Sequence, residues 1–332
     1  MIYLGIESSC DETAAALIEV VAGIPKILGH RVHSQNHTAS GGVIPQVAAR
    51  EHLLHLPKVM ESLFKEAGIQ PQDLGGIGVT AGPGLIGGLL VGVMWAKGLA
   101  LSLSKPLWPV HHLEAHALMV RMEVPVAFPY LLLLLSGGHC MLTLVHDVQR
   151  YELLGQTRDD AAGECLDKVA RALGGPYPGG VYIEERARHG NPQAVNLPIP
   201  FEHAAHCDFS FSGLKTACLQ WIQKHPNLTD SQDFCASFQK VIADSLSERV
   251  AHALRQTSLL RCVLSGGVAA NAYFRQRLQE TCAKYGAKLY APPPAYCTDN
   301  GLMIAWTTYE LHRKGIAPCT DFQVRPQWPL PH

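Results

Sequence analysis

The sequence predicts a duplicated α/β protein of two lobes, and three observations carry that expectation. A strand, a polar turn and a second strand open the chain: "IYLGI" (2–6), "ESSCDET" (7–13) and "AAALIEV" (14–20). The same arrangement recurs at 131–145, where "LLLLLSGGH" runs into "CMLTLV"; each reads as a tight hairpin with exposed backbone N–H groups at its bend. Two further segments, "GIGVTAGPGLIGGLLVGVMWAKGLA" (76–100) and "RCVLSGGVAANAYFRQRLQE" (261–280), both read as strand, Gly-rich loop and helix. Hairpin, helices, then strand–Gly–helix thus occurs twice, as internal duplication would leave it. Two lobes with a cleft between them are the expected consequence.

At 332 residues the chain can bury a substantial core, and 47% hydrophobic with 17% charged residues describes a soluble, packed protein and excludes a disordered one. A net charge of -1 gives no global attraction for nucleic acid, so a polyanion has to be held by a local basic patch or a partner's surface. Ten scattered cysteines without a CxxC pair argue against a disulfide framework or a Cys-rich zinc site and point to a reducing cytoplasm. The amino terminus is already a strand from residue 2, with no basic or apolar leader ahead of it, so no targeting signal is expected. Two apolar runs need weighing as membrane spans. Residues 129–138 are too few, and 84–103 carry Lys97 and several glycines, so both read as buried core elements. Residues 176–210 are rich in Pro, Gly and His and read as an irregular excursion near the cleft; the tail "RPQWPLPH" reads as a short Pro-rich extension.

The densest chemistry is "HHLEAH" (111–116), placed on the helix that follows the short strand "LWPV" (107–110). His112 and His116 differ by about 40° around the axis and one turn along it, so both can reach one ion, while His111 lies off that face. Glu114 lies about 200° from His112. In the HExxH motif of zinc proteases the carboxylate directly follows the first histidine; here it does not, which favours a two-histidine metal platform over a protease. The pair has an ordinary explanation as well, since the chain has 17 histidines and "HSQNH" (33–37) supplies another pair at the same spacing. A third ligand has to come from elsewhere. Asp299 in "YCTDNGLMIA" (296–305) is a candidate, and capping the following helix is its alternative role.

"LLSGGH" (134–139) and "LSGGVAAN" (264–271) place Ser and paired Gly at strand ends, where free N–H groups suit a phosphate or nucleoside. Together with "TAGPGLIGG" (80–88) they suggest a nucleotide cleft, although each alone is compatible with a plain turn. Glu7, Asp11 and Glu12 cluster at the first hairpin, either around a cation or general base or as solvated turn carboxylates. Asp167, in "DDAAGECLDK" (159–168), is placed to bond a ribose or to sit on a helix surface.

Taken together, "LGIESSCDET", "GGVIPQVAAREH", "TAGPGLIGGLLVG", "PVHHLEAH", "LLSGGH", "YELLGQTRDDAAGECLDKVAR", "YPGG", "DFSFSGLKT", "SGGVAAN", "CTDNGLMIAW" and "RPQWPL" resemble the TsaD family. These are tRNA N6-adenosine threonylcarbamoyltransferases, formerly called O-sialoglycoprotein endopeptidases. The motifs run in order from residue 4 to residue 330, so the resemblance spans essentially the whole chain. It implies an actin/sugar kinase/Hsp70-like (ASKHA) fold, duplicated and two-lobed, with an interlobe nucleotide cleft. The lobes are expected at 1–107 plus 303–332 and at 108–302, the second carrying most of the metal and adenylate site.

The resemblance also implies the reaction. The threonylcarbamoyl group of threonylcarbamoyl-AMP passes to N6 of the adenosine 3' of the anticodon in tRNAs reading ANN codons, giving t6A. One divalent ion, Fe or Zn, is expected on His112, His116 and Asp299. Adenylate contacts fall on Leu134, Leu135, Ser136, Gly137, Gly138, Asp167, Gly180 and Asn271. Asp11 and Glu12 are our candidates for taking the amine proton or ordering the site, because AMP leaves readily and no nucleophilic side chain is required. The bacterial and mitochondrial branch is the better match, with TsaB-like and TsaE-like partners, or a homodimer if organellar, in the cytoplasm and without a membrane. Two departures, "ESSC" for "ETSC" and "SGGHC" for "SGGHT", exchange one small residue for another and touch no proposed ligand. The competing readings are a metal-dependent (glyco)protease, a kinase of the same fold acting on a small acceptor, and a non-catalytic ATP-binding scaffold.

Overall fold

A computed structural model describes residues 1–37, 42–226 and 232–331. Gly41, which opens "GGVIPQVAAREH", and His332, which ends the tail, lie outside the described residues. The chain divides into two compact units, one of residues 1–125, 148–150 and 299–332, the other of 126–147 and 151–298. Breaks expected at 107/108 and 302/303 thus compare with breaks at 125/126 and 298/299.

In the first sheet, β1 (Ile2–Glu7), β2 (Glu12–Val21) and β3 (Ile24–Ser34) form an antiparallel meander. β4 (Leu74–Gly82) adds parallel to β1 and β5 (Leu107–His111) parallel to β4, giving the order β3-β2-β1-β4-β5. The second sheet contains β6 (Tyr130–Leu135), β7 (Cys140–Asp147), β8 (Arg150–Gln156), β9 (Arg261–Ser265) and β10 (Lys288–Tyr290) in the order β8-β7-β6-β9-β10. With β6 in the place of β1, the two orders are the same. β6 pairs antiparallel with β7 and parallel with β9, repeating the pattern around β1. The third strand of each meander has no clear signal in the sequence, because β3 and β8 are edge strands with most positions at least partly exposed and lack a continuous apolar face.

The helices repeat the pattern. α1 (Pro45–Ala67) precedes β4 and α2 (Ile86–Leu103) follows it; α3 (His112–Glu123) follows β5. In the second half, α4 (Ala162–Ala172), α5 (Gly179–Ala187) and α6 (Ser212–Lys224) are inserted ahead of α7 (Gln232–Thr257). α8 (Ala272–Lys284) then follows β9 as α2 follows β4, and α9 (Gly301–Arg313) follows β10.

Two expectations need correction. α2, read as a buried core element, buries only one face, through Gly88, Leu89, Gly92, Val93, Ala96 and Ala100; Ile86, Leu90, Met94 and Leu101 are exposed. Among the described residues it is the one helix long and apolar enough to cross a membrane, but its buried face packs on β4 and α1. The excursion at 176–210 is also not wholly irregular, since it contains α5. Its later turn is held by a buried guanidinium: Arg249 of α7 donates to the carbonyls of Ala204 (2.8 Å), His206 (2.7 Å) and Phe201 (3.2 Å), supplying bonds that the irregular backbone cannot make for itself.

"DFSFSGLKT" has a local explanation as well. Asp159 accepts from the Ser210 and Ser212 hydroxyls (2.5 and 2.7 Å) and from the backbone N–H groups of Phe211 and Ser212 (2.8 and 3.2 Å), tying down the start of α6. All ten cysteines are free thiols.

α9 crosses β1 at a glycine. A Cβ on Gly5 would sit 2.2 Å from Ala305 N and 2.3 Å from the Gly301 carbonyl oxygen, both backbone atoms that cannot yield. Gly5→Ala should therefore cost at least about 1–3 kcal/mol by overpacking. Gly98→Ala, on an exposed turn of α2 with nothing within 4 Å, should be neutral or stabilise by up to about 1 kcal/mol; urea titrations of the two variants test both signs.

Burial raises the Asp159 carboxyl, and the four donors outweigh that, holding it below its ordinary 3.8. Its stabilising contribution is then complete above that ordinary value and is lost as pH falls through the lower folded value. The stability gap between wild type and Asp159→Asn, followed by thermal melts from pH 7 to pH 2, should be constant above about pH 5 and shrink toward the acid end.

Candidate metal centre

β5 ends at His111 and α3 begins at His112, so the three imidazoles fall on a strand-to-helix junction. His111 is the N-cap: its Nδ1 accepts from the backbone N–H groups of Leu113 (3.1 Å) and Glu114 (3.4 Å). Its Nε2 lies 2.9 Å from the Trp328 carbonyl, which fixes the proton on Nε2 and commits the ring to structure. His112 and His116 project together from the first turns, ring centroids 4.8 Å apart and nearly perpendicular. Glu114 is buried and accepts the Gln149 backbone N–H at 2.7 Å, so it anchors a turn and faces away from the histidine pair.

Asp299 does not cap α9. Asn300 does, its Oδ1 accepting from Met303 N at 2.9 Å. Asp299 Oδ1 is thereby left 3.0 Å from His116 Nε2 and 3.5 Å from His112 Nε2. One ligand atom from each of the three residues lies within 4.8 Å of the others, and both histidines are buried.

The sequence did not reveal the role of Glu7. Fully buried at the end of β1, it accepts from Ser9 N (2.6 Å), Thr80 Oγ1 (2.5 Å) and His112 Nδ1 (3.0 Å). With the Nδ1 proton held by Glu7, His112 presents Nε2 toward Asp299. This carboxylate–imidazole arrangement is the usual second support of a metal-bound histidine. Burial pushes the Glu7 carboxyl up, but the His112 charge and hydrogen bond pull it below the ordinary carboxylate range. Burial likewise lowers His112, but the flanking Asp299 and Glu7 carboxylates raise it to about 9. Two imidazole nitrogens, one carboxylate and an orienting second carboxylate fit a divalent transition ion.

Asp11 and Glu12 lie on the same hairpin. Burial, then the Asp299 and Asp11 charges, raise Glu12 to about 10, and Glu12 shares a side-chain hydrogen bond with Asp11. Burial, then Asp11 and Asp299, also push the neighbouring Cys10 thiol far above its ordinary value, which disfavours the thiolate.

The turn is fixed from two sides. His52 of α1, fully buried, bonds Thr13 Oγ1 (2.7 Å) and the Cys10 carbonyl (3.1 Å). From α2, Leu85 N donates to the Ser9 carbonyl at 2.7 Å, and a Cβ on Gly88 would lie 2.3 Å from the Ser8 carbonyl oxygen. Gly84 and Gly88 of "TAGPGLIGG" thus admit the Ser8 and Ser9 backbone, and Gly82 the backbone of Arg325, close approaches that the sequence, read for a phosphate loop, did not suggest.

The adenylate candidates all fall in the second unit. Leu134 and Leu135 end β6 with buried side chains, so they offer backbone alone. Ser136 Oγ accepts from His139 N at 3.0 Å and closes the turn. Gly137 and Gly138 are exposed, with nothing within 4 Å of where a Cβ would be. Asp167 accepts the Gly179 N–H at 2.6 Å at the start of α5, next to Gly180. Asn271 caps α8 through Oδ1 to Phe274 N (3.0 Å) while its Nδ2 donates to Gln239 (2.9 Å).

Comparison with known proteins bears on both the fold and the family. Similarity to solved structures is structural only: HypF from T. kodakarensis superposes with a TM-score of 0.62 at 13% identity, over 95% of this chain and 48% of that one. The activator of the 2-hydroxyisocaproyl-CoA dehydratase from Clostridium difficile gives 0.53 at 15% identity, over 95% and 97%. These neighbours share the two-lobed ASKHA fold. The family model for TsaD, tRNA N6-adenosine threonylcarbamoyltransferase, matches residues 26–306. The enzymes of that name from Rhizobium johnstonii and Rhodospirillum rubrum are each 47% identical to this chain, covering 98% of it and 93% and 94% of themselves. The chain therefore belongs to the TsaD family of tRNA N6-adenosine threonylcarbamoyltransferases, acyltransferases that modify tRNA.

Proposed function

We propose that this transferase takes its acyl group from threonylcarbamoyl-AMP, delivers it to N6 of the adenosine 3' of the anticodon in tRNAs reading ANN codons, and holds one ion, Fe or Zn, on His112, His116 and Asp299. The convergence of two imidazoles and Asp299, with Glu7 behind His112, is the observation that carries this reading. When bound, the ion supplies a Lewis acid and a counter-charge for phosphate, a contribution of several kcal/mol to the transition state.

The remaining roles belong to the chain. Glu7 fixes the His112 tautomer and ring. Gly137 and Gly138, with Leu134, Leu135 and Ser136, offer backbone to the adenylate, while Asp167, Gly180 and Asn271 line its nucleoside. An adenine amine is a weak nucleophile, so positioning and late proton removal dominate the work left to side chains. Asp11 and Glu12, on the hairpin beside Asp299, are the carboxyl groups available to take that proton or to order the site. Near-neutral net charge leaves tRNA to be gripped with help, consistent with TsaB-like and TsaE-like partners, or with a second copy of the chain. The exposed row Ile86, Leu90, Met94 and Leu101 on α2 is an apolar face suited to such a partner.

The test is threonylcarbamoyl transfer from purified adenylate to tRNA, with metal analysis of the same sample. His112→Ala should abolish transfer together with the one equivalent of metal held at this centre; transfer retained without that equivalent would refute the assignment. Glu7→Gln keeps the shape and removes the orienting charge, and should weaken metal affinity about 10–100-fold. Met94→Asp should reduce partner-dependent transfer and leave metal content unchanged, as measured by pull-down beside the same assay.

A further inference from the structure

We propose that His33, Glu51 and His55 form a second divalent-metal site in the first unit, apart from the His112, His116 and Asp299 centre. Glu51 and His55 are four residues apart on α1 and share one face of it. His33 comes from β3, the strand that packs against this helix. One ligand atom from each lies within 4.8 Å of the other two. His55 Nε2 is 3.2 Å from Glu51 Oε2, and the His33 and His55 rings are stacked, centroids 3.6 Å apart and 12° from parallel. Both imidazoles are thus already gathered beside a carboxylate, so less side-chain freedom is lost when an ion binds.

Two imidazole nitrogens and one carboxylate oxygen suit zinc or a neighbouring transition ion and not calcium or magnesium, which prefer all-oxygen sites. All three residues are half-buried, so an ion can enter from solvent and keep water in its open positions. Lys58 lies close enough to His33 to act on its charge and opposes a cation, whereas Glu51 favours one. Among the described residues no orienting carboxylate corresponding to Glu7 is seen on either ring, and the site should be the weaker of the two.

Its position gives it a consequence. His52 stands between Glu51 and His55 on α1 and bonds the Cys10 carbonyl and Thr13. An ion joining α1 to β3 here would brace the helix that holds the 10–13 turn.

Equilibrium dialysis of the full chain against Zn2+ alone, with metal counted by elemental analysis, tests the proposal. Wild type should bind two equivalents, His33→Ala and His55→Ala one each, and His112→Ala should lose the other equivalent and keep this one. Glu51→Gln, which preserves the surface shape, should weaken the second equivalent about tenfold. Melting curves in chelator should be the same for wild type and the His33, His55 and Glu51 variants, which separates loss of ligand from loss of fold. Wild-type stoichiometry in both His33→Ala and His55→Ala overturns the site, whatever happens to the equivalent at His112.

Discussion

Glu7 is the constraint on which the rest of the site depends. A fully buried carboxylate is tolerable only when its lone pairs are met and its charge answered, and Glu7 is answered from three elements: Ser9 in its own hairpin, Thr80 on β4 and His112 at the start of α3. That requirement joins β1, β4 and α3 at one point and fixes which nitrogen of His112 faces Asp299. Removing either side of the Glu7–His112 pair leaves an uncompensated charge in the core, so positioning and stability are coupled there.

Around that point two helix starts divide capping and ligand presentation between neighbouring residues. At the end of β5, His111 spends its ring on capping, so that His112 and His116 can face inward. Before α9, Asn300 does the capping and releases Asp299. In both places the cap is a neighbour of the ligand, which is how one short segment can both terminate its backbone and present chemistry.

Much of this was legible in the sequence. Spacing alone put His112 and His116 on one helical face and turned Glu114 away, and the repeated hairpins and strand–Gly–helix segments announced the duplication now visible in the matching sheet orders. What spacing could not supply was tertiary. Whether Asp299 or Asn300 caps α9 depends on a hydrogen bond across the "DNG" turn, and a glutamate at the end of β1 looks like any turn acid until Thr80 and His112 close on it. The "TAGPGLIGG" glycines show the same limit, since an open amide loop and a close backbone approach need the same residue. β3 and β8 were missed because an edge strand exposed along its length carries no strong period.

The central claim is that one ion sits on His112, His116 and Asp299 with Glu7 behind His112 Nδ1. Anomalous diffraction from crystals of the metal-loaded protein tests it most directly. The account predicts a peak about 2.0–2.2 Å from the Nε2 atoms of His112 and His116 and from an Asp299 carboxylate oxygen, with the Glu7–His112 hydrogen bond intact. A peak bonded through His112 Nδ1, or no peak at these residues in an enzyme active in threonylcarbamoyl transfer, would contradict it.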